Sequence, residues 1–230
     1  MIPVATLLAA RERVLADDLL GARALLVKAS RTIRSGSKKK AHLDPLIAET
    51  AGKLQALIDS EMPTVKGSAM SLTDKAKAIL LAALLAAQQA GWDDSGASAA
   101  WDEVAARQYA TERSDWVSHL IMGLAAGLLT GAVSAAMGDA RMRLTADGIV
   151  NGYERGFHSG VASQGTITRS VWQSFAGACE LCADRDGESW DGDPPFWPGD
   201  GGFGDICFGS VNCRCSVSYD VVPISEATGD

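Results

Sequence analysis

The sequence predicts a mainly α-helical protein ending in a small α+β module clipped by zinc, and three observations predict it. Before residue 163, apolar residues recur at helical spacing through several long segments. Only afterwards do two short segments, residues 166–172 and 213–221, read as strands. All five cysteines fall between Cys179 and Cys215. The organisation that follows is a helical region over residues 1–138, a cysteine-bearing module over residues 139–222 and a tail over residues 223–230.

Leu8, Leu15, Ala22 and Ala29 repeat every seven residues, and Leu19, Leu26 and Ile33 fill the seam between them. That pattern predicts an amphipathic helix over residues 8–33, ended by Ser35-Gly36-Ser37, with its stripe packed inside the chain or paired as an intermolecular coiled coil. Asp44-Pro45 reads as an N-cap followed by the first helical residue. The helix it opens runs to Glu61 with Ile47, Leu54 and Ile58 inward, and Met62-Pro63 closes it. Ser71 with Asp74 opens the next helix, whose Ile79, Leu80, Ala83, Leu84 and Ala87 form one face until Gly91 supplies a stop. A polar stretch over residues 93–98 precedes a helix carrying Trp101, Ala105 and Tyr109.

Residues 117–137 carry no formal charge and include Gly123, Gly127 and Gly131 at every fourth position. The run is long enough to cross a bilayer, so an integral membrane protein is one alternative reading. Ser118, His119, Thr130 and Ser134 interrupt it and no basic flank marks a cytoplasmic side, so a buried helix is expected. From Gly138-Asp139 a further helix carries Met142, Ala146, Ile149, Val150, Tyr153, Phe157 and Val161 as its apolar stripe, with His158 beside it as a packed or surface residue. In the last strand, Cys213, Cys215, Val217, Tyr219 and Val221 alternate with Arg214, Ser216, Ser218 and Asp220, predicting one buried face.

Apolar residues make up 47% of the chain, enough for a real core, and the formal charge is −7. That balance excludes a protein whose whole surface grips nucleic acid. The charge is nevertheless segregated. Arg23, Lys28, Arg31, Arg34, Lys38, Lys39 and Lys40 form a run without acids, whereas residues 184–205 carry seven acids against Arg185. Arg34, Lys38, Lys39 and Lys40 are the candidate nucleic-acid contacts, with a solvated loop as the plainer reading of the three lysines.

Cys179-Glu180-Leu181-Cys182 is a C-x2-C knuckle, answered by Cys207 and Cys213-Arg214-Cys215. Two thiolates on one tight turn and a second pair from a later segment suit a single tetrahedral zinc. Cys179, Cys182 and Cys213 are the firmest ligands, and the fourth is Cys207 or Cys215. Disulfides or buried thiols are the competing uses. Met1-Ile2-Pro3 leading into Arg11, Glu12 and Arg13 does not read as a secretory leader, so a reducing birthplace and a metal are expected. The excursion over residues 174–212 is rich in Gly, Pro and Asp and poor in core formers. A structural zinc, with an apparent binding free energy of about 10–16 kcal/mol in small domains, would offset much of its ordering cost. Trp190, Phe196, Trp197 and Phe203 would cover the base of the loop or present a patch to a neighbouring subunit.

No catalytic constellation is expected. The chain has three histidines and neither a His-Glu-x-x-His nor a phosphate-binding loop. Residues 199–204 satisfy G-x-G-x-x-G, but they follow Pro198 and carry acids that repel phosphate. Cys182-x-Asp184-x-Asp186-Gly187 resembles part of a calcium loop with a cysteine in the first ligand position. A zinc hydrolase using Glu180, Asp184 or Asp186 as general base is a second alternative.

Trp172, Cys179-x2-Cys182, Asp184, Asp186-Gly187, Pro194-Pro195 and Asn212-Cys213-Arg214-Cys215, in that order, resemble the C-terminal signature of the Mu F-like minor head proteins of tailed bacteriophages. The resemblance covers roughly residues 140–222. It departs where the family's histidine and proline fall at Ser210 and Val211, and Cys207, three residues upstream of Ser210, is a candidate replacement for that histidine, with Cys215 as the alternative fourth ligand. The resemblance implies a structural minor head protein, not an enzyme, that joins the portal protein and major capsid protein during head morphogenesis. It further implies residence in the virion, at the head interior or portal vertex, after assembly in the host cytoplasm. Oligomeric packing there and contact with packaged DNA are both compatible with that place.

Overall fold

The computed structural model describes residues 31–34, 38–61, 69–129, 136–175, 178–198 and 215–223. In chain order these form β1 (Arg31–Arg34), α1 (Lys38–Glu61), α2 (Ala69–Ser95), α3 (Glu103–Leu129), α4 (Ala136–Ala162), β2 (Gly165–Gln173), α5 (Glu180–Asp184), β3 (Ser189–Asp191) and β4 (Ser216–Pro223). Four long helices and one small antiparallel sheet make the fold mainly helical, as the periodicity predicts.

Helix α4 is central. Its stripe of Ala146, Ile149, Val150, Tyr153, Phe157 and Val161 is wholly buried. Gly148, Gly152, Gly156 and Gly160 recur one turn apart and face α2, where a Cβ on Gly156 would overlap the Gln88 carbonyl. Each glycine costs about 1 kcal/mol of helix propensity. Close approach is what that cost permits at Gly156 and Gly160, whereas a Cβ on Gly148 or Gly152 would meet its nearest neighbours at ordinary contact distances of 3.6 and 3.4 Å.

The same contact explains why Gly91 does not stop α2. A Cβ there would overlap the Tyr153 carbonyl oxygen, so Gly91 serves the crossing, and the helix runs on to Ser95. The terminating glycine is Gly96, at φ +74°, a left-handed conformation that glycine adopts without strain. Helix α3 is opened by Asp102, whose Oδ1 accepts from the Val104 and Ala105 N–H groups at 3.0 and 3.1 Å.

Helix α1 starts at Lys38 and not at Asp44, so Pro45 lies inside it. Proline there forfeits a backbone bond toward Ala41. Burial of Lys39 and Leu43, both under 5% exposed, favours extending the helix ahead of the proline. The buried helix expected over residues 117–137 is described only in part. Helix α3 ends at Leu129, α4 begins at Ala136, and residues 130–135 lie outside the described residues. Among the described residues no helix is long and apolar enough to cross a membrane. Gly123 faces open space. Val117 and Met122 instead join Leu54, Leu57, Ile58, Leu72, Ala76 and Leu80 in an aliphatic cluster.

The sheet has the order β1-β4-β2-β3 with every pair antiparallel. Strands β2 and β4 pair as their alternation predicts, with Trp172 opposite Val217 and Ser170 opposite Tyr219, and a register shift between Ile167 and Arg169. Strand β1 was expected to be helix through Ile33. Its Thr32 and Ile33 are β-branched and stand opposite Asp220 and Tyr219, so pairing with β4 overrides the heptad. The rest of that predicted helix lies outside the described residues. Strand β4 is buried on both faces, not one. Val217, Tyr219 and Val221 fill the core, while Ser216 and Ser218 are also buried, the latter accepting from Gln173 Nε2 at 3.2 Å.

The boundary expected after residue 138 falls within α4, and one core cluster takes residues from both sides of it. Leu43, Ile47, Ala83 and Ala87 from α1 and α2 pack with the α4 stripe, Trp172, Cys182, Cys215 and the β4 residues.

Candidate metal centre

Cys179 occupies the N-cap position of the short helix α5 with extended backbone angles. Its carbonyl oxygen accepts from the Cys182 and Ala183 N–H groups at 3.0 and 2.9 Å, which makes the C-x2-C segment a tight turn. The Cys182 side chain is buried, as is that of Cys215 immediately before β4. Cys179 is half-buried and packs against the same core. Three thiols from the two distant segments therefore contribute to one cluster. They are soft donors of the type zinc takes, and Cys215 comes from the segment immediately before β4. Cys207 and Cys213 lie outside the described residues, and among the described residues no three His, Cys, Asp or Glu side chains gather closely enough to hold a metal.

The turn after the knuckle is built by the acidic-glycine pair. Asp186 Oδ1 accepts from the Ser174 N–H at 2.8 Å, and Gly187 takes φ +81°. The Gly187 N–H donates to the Trp172 carbonyl at 3.0 Å, and the Trp172 N–H donates to the Glu188 carbonyl at 2.8 Å. Strand β3 then continues the pairing along β2. This half of the excursion thus folds back onto β2 through its own backbone, with order beyond what its sparse apolar content led one to expect.

Aromatic residues complete that arrangement. Phe196 meets Trp172 edge-on at 5.6 Å and Trp190 at 5.4 Å, with the Arg185 guanidinium 4.8 Å over its ring. Trp197 Nε1 donates to the Tyr219 hydroxyl at 3.2 Å. Trp190, Phe196 and Trp197 pack against the core, the first of the two roles expected for them. Phe203 lies outside the described residues. Arg155 joins this layer to the helices: its guanidinium lies between the Tyr109 and Trp197 rings at 4.6 and 4.5 Å, and Nε donates to Asn151 Oδ1 at 2.8 Å. His158 Nε2 sits 2.8 Å from Asp193 Oδ1, with Trp197 and Tyr219 flanking the ring at 5.5 Å. It is the packed residue the sequence suggested.

A buried ion pair underlies the whole site. Lys39 Nζ lies 2.5 Å from Glu154 Oε1 and donates to the Cys215 carbonyl oxygen at 2.5 Å. Lys39 is 4% exposed, which removes it from the candidate nucleic-acid contacts. Lys40 is exposed and loosely paired with Asp44 at 3.9 Å. Arg34 lies in β1 and Lys38 opens α1. Sequence reasoning missed this pair, although Glu154 stands four residues after Val150 and three before Phe157, on the apolar stripe itself. Burial, followed by the nearby Glu154 charge, pushes the Tyr219 phenol well above its ordinary value. Tyr153 is raised for the same first reason, reinforced by its bond to Asp94 Oδ2 at 2.7 Å.

Of the carboxylates considered as general bases, Asp186 is engaged with the Ser174 N–H, while Glu180 and Asp184 lie on α5. A cleft of about 170 Å³ among α2, α3 and α4 is lined by Trp92, Trp101, Tyr109 and Arg155.

No protein-family model, no characterised protein and no solved structure matches this chain.

Proposed function

We propose that the chain is a structural minor head protein of a tailed bacteriophage, joining the portal protein and the major capsid protein during head morphogenesis. In this reading its C-terminal module is held by a structural zinc, with Cys179, Cys182 and Cys213 as ligands and Cys207 or Cys215 as the fourth. The observation that carries it is the meeting of the motif's separate parts around β2. Trp172 lies at the centre of the sheet, Asp186-Gly187 closes the turn beside it, and Cys179, Cys182 and Cys215 share its core. These are the residues that carry the resemblance to the Mu F-like proteins.

The role is mechanical. Arg155, Lys39 and the β1–β4 pairing tie the module to the long helices, so it is a rigid docking element for a neighbouring subunit. The zinc staples the acidic excursion and takes no part in catalysis. The protein resides in the head interior or at the portal vertex, after assembly in the host cytoplasm. Any contact with packaged DNA falls to Arg34, Lys38 and Lys40.

Two measurements test the reading separately. Metal analysis of the purified chain is expected to give one zinc, retained in Cys207→Ser or in Cys215→Ser but not in both, and lost in Cys182→Ser. In phage particles, the chain is expected in heads that carry a portal; its presence at full copy in portal-less heads removes the portal as partner.

A further inference from the structure

The cleft of about 170 Å³ among α2, α3 and α4 contains none of the cysteines of the candidate metal centre; Trp92, Trp101 and Tyr109 line it together with Gln88 and Arg155. An engineered apolar cavity of about 150 Å³ holds one benzene, so a single six-membered ring sets the size of what fits.

Two of the lining side chains are buried yet incompletely bonded. Gln88 is 4% exposed and Trp92 8%, and they stand four residues apart on α2, hence on one face of it. The Gln88 Nε2 donates to the Ala106 carbonyl at 3.0 Å, which fixes the orientation of the carboxamide and leaves Oε1 as a bare acceptor. Among the described residues neither that oxygen nor the Trp92 indole N–H has a hydrogen-bond partner, and neither atom is sealed inside the protein. One acceptor and one donor therefore reach solvent where their side chains line the cleft. Buried polar side chains usually find partners, so this pair points to a ligand that carries the complementary pair.

The charged groups of the cleft are already engaged. Arg155 stacks on the Tyr109 ring at 4.6 Å and donates from Nε to Asn151 Oδ1 at 2.8 Å, while Asp102 Oδ1 accepts from the Val104 and Ala105 N–H groups. A neutral ligand matches that balance. The walls are also held in place, since the Tyr109 hydroxyl donates to Asn151 Oδ1 and Gly156 brings the α4 backbone against that of Gln88.

We propose that the cleft binds a neutral planar ring with adjacent N–H and C=O groups, the lactam edge of a pyrimidine base such as uracil. The ring C=O accepts from Trp92 Nε1, the ring N–H donates to Gln88 Oε1, and the aromatic side chains cover the ring itself. A purely apolar ring of the same size fills the volume but strands both polar atoms. The net charge of −7 and the exposed Asp102 at the cleft favour a free base over one carried on a phosphate strand.

The test is titration of the full chain with uracil, read on the indole N–H resonance of Trp92, which Trp92→Phe identifies by removing it. Uracil is expected to move that resonance saturably. Uracil methylated at both ring nitrogens keeps the ring and loses the donor, and it should bind about tenfold more weakly or worse, as should benzene. In equilibrium dialysis, Trp92→Phe and Gln88→Met should each weaken uracil by about tenfold. The ligand comparison is made on the parent chain, so it decides the matter even where a variant fails to fold. No saturable shift, methylated uracil or benzene binding as tightly as uracil, or undiminished binding by a folded Trp92→Phe overturns the proposal. An oligouridylate strand is expected to bind no tighter than uracil. If it binds tighter, with the steep salt dependence of phosphate contacts, the assignment to a free base falls.

Discussion

The molecule has two cores of different chemistry. The cluster at the far end of the helices is aliphatic, built from Leu54, Leu57, Ile58, Leu72, Leu80, Val117 and Met122. The cluster around α4 and the sheet contains Tyr153, Phe157, Trp172, Tyr219 and two cysteines, and it encloses the Lys39–Glu154 pair. The first kind holds by area removed from water and tolerates exchange among shapes of similar volume. The second holds by partners placed to satisfy one another, and there a change that conserves volume still leaves a buried group stranded. The part that carries the candidate site is therefore the part least free to vary.

The largest break in that contrast should come at the ion pair. Glu154→Leu leaves Lys39 buried with its charge uncompensated, and a loss of about 3–5 kcal/mol in denaturant unfolding is expected. Adding Lys39→Met should recover most of it, whereas recovery of none would show that the bond to the Cys215 carbonyl is what mattered. Next, Gly156→Ala forces a methyl against the Gln88 carbonyl and should cost about 3 kcal/mol, the upper end for overpacking. Gly52→Ala in α1, where a Cβ meets nothing, should instead stabilise by about 0.5–1 kcal/mol.

Alkaline titration sharpens the comparison further. Tyr153 and Tyr219 hold their protons in the folded state far above the ordinary phenol value, so their contribution is intact up to about pH 10, where unfolded tyrosine ionises. Above it only the unfolded chain gives up the proton, and stability should fall by about 1.4 kcal/mol per pH unit for each buried phenol. Tyrosinate absorbance should rise together with loss of the folded circular-dichroism signal, and Tyr153→Phe should halve the slope. The smallest effect belongs to Asp115, whose carboxyl is held below its usual value chiefly by the hydrogen bond from Lys77. That contribution is present above the unfolded carboxylate range and fades as pH falls through the folded value. Because the pair is exposed, Lys77→Met should barely move the acid limb of a thermal-melt profile, and less still in high salt.

Periodicity made the long helices legible, and alternation made the β2–β4 pair legible, because both patterns record which face each element buries. The stripe from Ala146 to Val161 is such a case. What escaped was decided by contacts distant in sequence. Gly91 has the residue type of a helix stop, but Tyr153 and Phe157 pressing against it turn it into a crossing point. Lys39 sits in a run of three lysines that reads as solvated, and only the arrival of Glu154 and the Cys215 carbonyl makes burial affordable. Ile33 obeys a heptad, yet its neighbours in β4 pull it into a strand. At the candidate site, the knuckle of Cys179 and Cys182 was visible from cysteine spacing, which left Cys215 as one of two choices for a fourth ligand. The zipper of Gly187 and Glu188 onto Trp172 was not, since backbone bonds leave no signature in residue type.

Strand order has a consequence for how the chain is made. Strand β4, one of the two inner strands of the sheet, is the last of the described strands to be synthesised, and it lies between β2 and a strand that precedes every described helix. During translation α1, α2, α3 and α4 can settle against one another, while β1 and β2 must wait with a gap the width of one strand between them. A chain synthesised only as far as residue 215 leaves the edges of β1 and β2 that β4 joins without a partner, so the interval before β4 emerges is when these strands are most exposed to pairing with the wrong chain.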